Sequence, residues 1–249
     1  GEGLQLVALF PVRPGANGKK GDKLETFAGV LSYNSKDGGS QPGRFKTPTS
    51  VDCDPQGRVY VTDHFSDRLQ VFDSSGKHLK DIPVAKPSEV RIDPRNGEIY
   101  VFSWAIDCRA FRQGDSDGYG KGSKVQPKLT HLGAFDDPKV LAEYTFPIKD
   151  ATLGGGRHGG TEYRAIVDFW APAEAAPTVW LISGAGPRWG IAGGGMEAGA
   201  IQILRRKKGE NVLEVVKDFT AQARKDLPFL SIYHRLKPVS YTHLTLPTI

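Results

Sequence analysis

At 249 residues, with 39% hydrophobic and 24% charged side chains, the chain has the composition of an ordinary globular protein and not of a disordered one, and no apolar run approaches the roughly 20 residues of a membrane-spanning helix. The net charge of +5 suits an acidic partner, but the basic residues fall in small groups such as Arg205–Glu210 (RRKKGE), which read as solvated turns before they read as a nucleic-acid surface. Two cysteines, Cys53 and Cys108, are too few for a disulfide framework and lie outside any CxxC or Cys/His metal spacing.

Gly (30) and Pro (17) punctuate short β-rich runs throughout, so an all-β chain with many turns is the first expectation. In chain order, LQLVALF (4–10) and KLETFAG (23–29) read as the outer half of a first blade-like unit. The segment Thr47–Ile82 then gives four strands: SVDCD, RVYVTD, RLQVFD and HLKDI. Ala85–Trp104 repeats its first half, and Pro87 follows Pro48 by 39 residues. Within that repeat Val90 stands for Val51, Asp93-Pro94 for Asp54-Pro55, and Tyr100-Val101 for Tyr60-Val61. Leu129–Ile148 fits the outer half of this second unit, with Phe135-Asp136 aligned to Phe72-Asp73. Tyr163–Gly184 and Gly199–Phe219 supply the inner and outer pairs of a third, and PFLSIYHRL (228–236) reads as the opening of a fourth.

A period near 40 residues built from four short strands is that of a propeller blade. The motif in Thr47–Ile82 is specific: Pro before the inner strand, an Asp-Pro-x-Gly turn, Val-Tyr-Val-x-Asp, then Arg-Leu-Gln-Val-Phe-Asp ending in a Gly-Lys turn. On these residues the chain resembles the NHL-repeat β-propellers. The resemblance implies an all-β propeller of about three blades plus two partial ones, six-bladed-like and incomplete as a ring, over residues 1–238. The chain begins at Gly1 and its only methionine is Met196, so any leader is expected to have been lost with a missing start. The remaining stretch, VSYTHLTLPTI (239–249), resembles a translated read-through of a sequencing-library adapter and is expected to be a non-native tail.

With strands labelled A to D outward, up-and-down connectivity places A–B and C–D turns on one face and B–C and D–A connections on the other. The first face receives only short turns. The second collects the long insertions 28–45, 105–128, 149–160 and 184–199. Long loops on a rigid scaffold are where binding and catalysis concentrate, so a binding face is expected there. Disorder competes for the Gly/Ser-rich stretch SKDGGSQPG (35–43).

The candidate residues of that face are His64, Trp104, Arg157, His158, Arg188 and Trp189. His64 lies in the B–C turn, where an imidazole could bind metal or carry a proton and where a solvated turn is the plainer reading. Arg157 and His158 sit in GGGRHGG, whose glycines permit close backbone approach to a ligand and whose Arg could meet an anion. Arg188-Trp189 is a pairing common at recognition surfaces, and Trp104 opens an insertion or packs between blades. Asp63 and Arg68 match repeat positions and are expected to pair structurally.

No GxSxG nucleophile or HExxH motif occurs. The expectation is therefore a non-catalytic module that binds a protein or carbohydrate, with no cofactor and nucleic acid disfavoured. The resemblance implies two alternatives: a zinc- or calcium-dependent lyase or lactonase-like enzyme, with ligands drawn from several blades, and an RNA-binding domain. It also points to an extracytoplasmic setting, periplasmic or secreted.

Overall fold

A computed structural model describes residues 26–29, 38–106, 125–147, 152–153, 161–170, 177–185 and 200–219. Side chains of 106, 152–153, 161–164, 182–185 and 200–201 are outside that description. The opening half-unit before residue 26, the segment at 228–236 and the tail 239–249 lie outside the described residues.

The expected architecture is present: an all-β chain of repeated four-stranded antiparallel blades. The first blade is β1 (Pro48–Cys53), β2 (Val59–Asp63), β3 (Arg68–Phe72) and β4 (His78–Pro83), in that spatial order. The second is β5 (Pro87–Ile92), β6 (Ile99–Ser103), β8 (Lys128–Leu132) and β9 (Val140–Thr145). Between β6 and β8 lies β7 (Ala105–Ile106), which leaves this sheet for the next one. The third blade is β11 (Thr161–Val167), β12 (Val179–Ala185), β13 (Ala200–Arg206) and β14 (Leu213–Asp218). It carries β10 (Thr152–Leu153) and then β7 on its β11 edge, so the whole sheet has six strands. The three described sheets do not close a ring.

Stacking follows from alternation along the strands. Tyr60, Leu69, Val71 and Ile82 of the first blade meet Val90, Ile92, Ile99, Val101 and Leu132 of the second in one dry layer. The other face of the second blade (Tyr100, Phe102, Leu129, Tyr144) meets Ala165, Val167, Val179, Leu181, Leu204 and Leu213 of the third. The outward face of the first blade, Val59, Val61 and Phe72, is covered by Phe45 and by Phe27 and Ala28. The middle strands β2, β3 and β6 are packed on both faces and are buried throughout, unlike the outer strands β4 and β9.

The Asp-Pro turns are closed by their own carboxylates. Asp54 Oδ1 accepts the Gln56 and Arg58 amides at 3.0 and 2.9 Å, and its Oδ2 takes the Arg58 guanidinium and the Tyr60 hydroxyl. Burial alone would raise the Asp54 carboxyl; the Arg58 and Tyr60 bonds outweigh it and hold the group below its ordinary value of 3.8. Asp93 repeats the device with the Arg95 amide and guanidinium.

One alignment is corrected. Registers pair Val59 with Phe72 and Ile99 with Leu132, so the counterpart of Phe72 is Leu132, not Phe135. The turn after β8 is longer than its counterpart after β3, and it opens on Gly133. A Cβ there would overlap the Asp137 carbonyl, so the glycine lets the chain fold back tightly. Phe135 is thereby thrown sideways onto the first blade. Its ring lies 4.1 Å from the Arg58 guanidinium carbon and 4.3 Å from Lys80 Nζ, which also donates to the Phe135 carbonyl at 2.7 Å.

Candidate functional site

Strand registers place every B–C and D–A connection at one end of its own sheet. In the first blade Pro48 faces Asp63, Asp63 faces Arg68, and Arg68 faces Pro83. In the second, Pro87 faces Ser103, Ser103 faces Lys128, and Lys128 faces Thr145. Within each of these two blades the B–C connection therefore leaves from the same end as the chain enters and departs.

The connection into the first blade is held by a buried polar row. Asp63, fully buried, accepts the Lys46 and Thr47 amides at 2.9 and 3.0 Å and pairs with Arg68 at 3.3 Å. Arg68 reaches the carbonyls of Gln41 and Arg44 at 3.0 and 2.8 Å and Asp81 at 2.8 Å. Gln70 donates to the Arg44 carbonyl and accepts the Gly43 amide. The part of the Gly/Ser-rich loop from 38 onward is thus fixed by side chains at alternate positions of β3. Asp63 and Arg68 were legible as a structural pair; their grip on this loop, and the role of Gln70, was not.

His64 differs from the sequence expectation. The turn is not solvated around it: the residue opens a single turn of 3-10 helix, His64–Ser66, and is 0% exposed. Its Nδ1 lies 3.2 Å from the Pro87 carbonyl and 3.5 Å from Ser88 Oγ, and its ring meets Phe65 edge-on. The reason is the adjoining blade. The short link 84–86 brings Pro87 and Ser88 directly over the turn, locked by Asp67, whose carbonyl and carboxylate accept the Val84 and Lys86 amides. Asp67 and Lys86 both take the left-handed backbone, φ 52° and 48°, to complete this corner. His64 joins two blades.

Trp104 is also fully buried, among Phe102 and Phe146, and its indole Nε1 has no hydrogen-bond partner among the described residues. Its backbone amide and carbonyl both meet Ser88 Oγ, at 3.3 and 2.9 Å. Ser88 thus links the His64 corner to the start of the 104–127 connection. Arg157, His158, Arg188 and Trp189 lie outside the described residues. Among the described residues no group of three His, Cys, Asp or Glu side chains gathers as a metal site.

The long connections themselves are joined. Ala105 and Ile106 pair in parallel with Thr152 and Leu153, and Thr152 pairs in parallel with Glu162 at the inner edge of the third blade. Two insertions separated by more than forty residues therefore form one small extension of a sheet. Parallel two-residue pairings carry no spacing signal that sequence reading could detect.

No protein-family model matches the chain, and no curated protein matches it. Among solved structures it is similar to a streptogramin B lyase, with TM-score 0.31 and 15% identity over 68% of this chain and 53% of that one. It is likewise similar to the hydrazine synthase of Kuenenia stuttgartiensis (TM-score 0.26, 16% identity, 66% of this chain and 56% of that one). A third is the virginiamycin B lyase of Staphylococcus aureus (TM-score 0.24, 12% identity, 68% and 69%). The chain spans about half the length of the first of these. At such scores the likeness carries no functional weight, and the fold rests on the sheet order itself.

Proposed function

We propose that the chain is a ligand-binding propeller of the NHL type, non-catalytic, which takes a protein or carbohydrate partner on the end that bears the long connections. The observation that supports this reading is the parallel pairing of β7 with β10, which ties the 104–127 and 146–160 connections to one another and to the β11 edge. Fixing the points at which two connections leave the sheets lowers the entropy that binding must otherwise spend. His64 and Trp104 serve this face from beneath, as buried supports of the corner from which the connections spring. Arg157, His158, Arg188 and Trp189 are the side chains proposed to meet the ligand, since a Gly-rich sequence permits close backbone approach and Arg-Trp pairs suit directional contacts with large apolar area.

The test is a glycan array and a peptide-display selection run on the whole chain and on two variants, Arg188→Ala with Trp189→Ala and Arg157→Ala with His158→Ala. Binders that both variants lose support the reading. Stoichiometric zinc or calcium in the purified protein together with turnover of a lactone or an α-hydroxyglycine peptide would replace it with the metal-enzyme alternative. Salt-dependent RNA binding would replace it with the nucleic-acid alternative.

A further inference from the structure

Each of the first two blades turns one face toward the next blade in the chain, and the strand registers align one cross-strand row on that face. In the first blade the row is Asp52, Tyr60, Val71 and Lys80. In the second it is Arg91, Tyr100, His131 and Ala142. The following blade covers both: Tyr60 and Val71 are fully buried, and Tyr100 is 7% exposed. The same row of the third blade is Ile166, Trp180, Ile203 and Lys217. Its neighbours along the strands, Val167, Val179, Leu181 and Leu204, pack on the second blade, so alternation turns the row to the other side of the sheet.

This third row is the most apolar of the three, yet Ile166, Trp180 and Ile203 are only half-buried, and none of them joins the layers packed between the described blades. Its polar ends are already satisfied. Trp180 Nε1 donates to Asp168 Oδ2 at 3.2 Å, as the Tyr60 hydroxyl donates to Asp54 Oδ2 at 2.9 Å beneath the second blade. The Trp180 ring lies parallel to that of Phe219 at 5.9 Å, and Lys217 Nζ stands 4.6 Å from the Phe219 ring. With the indole N–H bonded inside its own blade, an occupant has apolar area to bury and no indole donor to satisfy.

The row of the first blade is met by the inner strand of the second, through Val90 and Ile92, two residues apart on β5 behind the opening Pro87. Beyond β14 the sequence holds a run of that kind, PFLSIYHRL (228–236), in which a proline precedes apolar residues at two-residue spacing. The link 84–86 carries the chain from the outer strand of one blade to the inner strand of the next, and the longer stretch 220–227 has reach to spare. A short tether also holds the run at an effective concentration of about millimolar, which favours it over a second copy of the chain. We propose that Ile166, Trp180, Ile203 and Phe219 form a docking surface for residues 228–236 of the same chain, laid across it as the inner strand of a further blade. This surface is independent of the long-connection end proposed to bind a ligand.

Maleimide labelling of Ile203→Cys tests this in the whole chain carrying Cys53→Ser and Cys108→Ser, with Val216→Cys, 49% exposed on β14 before substitution, as the reference. The expected result is labelling about ten-fold slower than the reference at every protein concentration, because the thiol is reached only when the segment lifts. Ile232→Asp with Tyr233→Asp places one charge on either face of a strand, so it should bring the rate to within about two-fold of the reference with an unchanged far-ultraviolet spectrum. If that pair unfolds the chain, Ile232→Ala with Tyr233→Ala should quicken labelling about five-fold instead. Equal labelling of Ile203→Cys and Val216→Cys without these changes means an open face and overturns the proposal. Slow labelling indifferent to the substitutions at 232 and 233 overturns it as well. So does slow labelling that quickens on dilution, which would give the surface to a second copy of the chain.

Discussion

The first and second blades share a strand plan and differ in how they hold the chain that enters at their long-connection end. In the first, Asp63, Arg68 and Gln70 form a buried row that grips the backbone from Gln41 to Thr47. In the second, the registered counterparts are Ser103, Lys128 and Thr130. Ser103 bonds only the nearby Ala85 carbonyl, at 2.8 Å, and Lys128 pairs with Glu143 at the surface. The difference tracks what each blade must restrain. A loop enters the first blade, whereas the short link 84–86 enters the second and needs only a hydroxyl. Motif residues of a repeat are thus retained where a loop has to be anchored and dispensable where the connection is short.

The comparison is sharpened first by Arg68→Ala. It leaves the buried Asp63 carboxylate with only the Lys46 and Thr47 amides and removes the donor from Asp81 and the Gln41 carbonyl, so a loss of about 3–5 kcal/mol in chemical denaturation is expected. A loss below about 1 kcal/mol would mean that water replaces the clamp and that the blades do not differ in this respect.

Asp54→Asn comes next, with an expected loss of about 2 kcal/mol for bonds to an ionised group. The folded Asp54 carboxyl lies below its ordinary value of 3.8, so its contribution is complete above that value and disappears as pH falls through the lower folded value. The variant should accordingly lose less stability than the parent on acidification across that window, which denaturant titrations at several pH values would show. Equal acid sensitivity would contradict the assignment.

Phe135→Ala should cost about 1–2 kcal/mol by removing the cation contacts with Arg58 and Lys80 that bridge the two blades. Mutant cycles with Lys80→Ala would reveal the coupling, and additive effects would show the bridge to be inert. Lys128→Ala should be the mildest, within about 0.5 kcal/mol, since its pair with Glu143 is partly solvated. A cost matching that of Arg68→Ala would erase the distinction between the blades.

The repeat made the fold legible. Proline, Asp-Pro-x-Gly and the apolar runs recur because each blade solves the same turn and stacking problem, and strand limits in all three blades fall within a few residues of those read from the pattern. The site was less legible, for identifiable reasons. His64 lies in a polar turn, and nothing local signals that a neighbouring blade will cover it; the proline and serine that do so are more than twenty residues away. Phe135 misled because Phe-Asp matched the motif, while the glycine two residues earlier set the true end of the strand. The join between β7 and β10 depends on tertiary placement and has no pattern to read.

The inner strands of the first two blades are joined by an arrangement with a dynamic consequence. On the edge of β5, the Val90 amide donates to Ser50 Oγ at 3.3 Å and the Ile92 amide to Asp52 Oδ2 at 2.9 Å. Both acceptors are side chains of β1 in the adjoining blade, so neither bond belongs to a strand ladder. Deuterium uptake at these two positions therefore reports the parting of one blade from the next, while uptake at Val101 or Leu129 reports the melting of a blade itself. The seam has a clock of its own, separate from that of the sheets it joins.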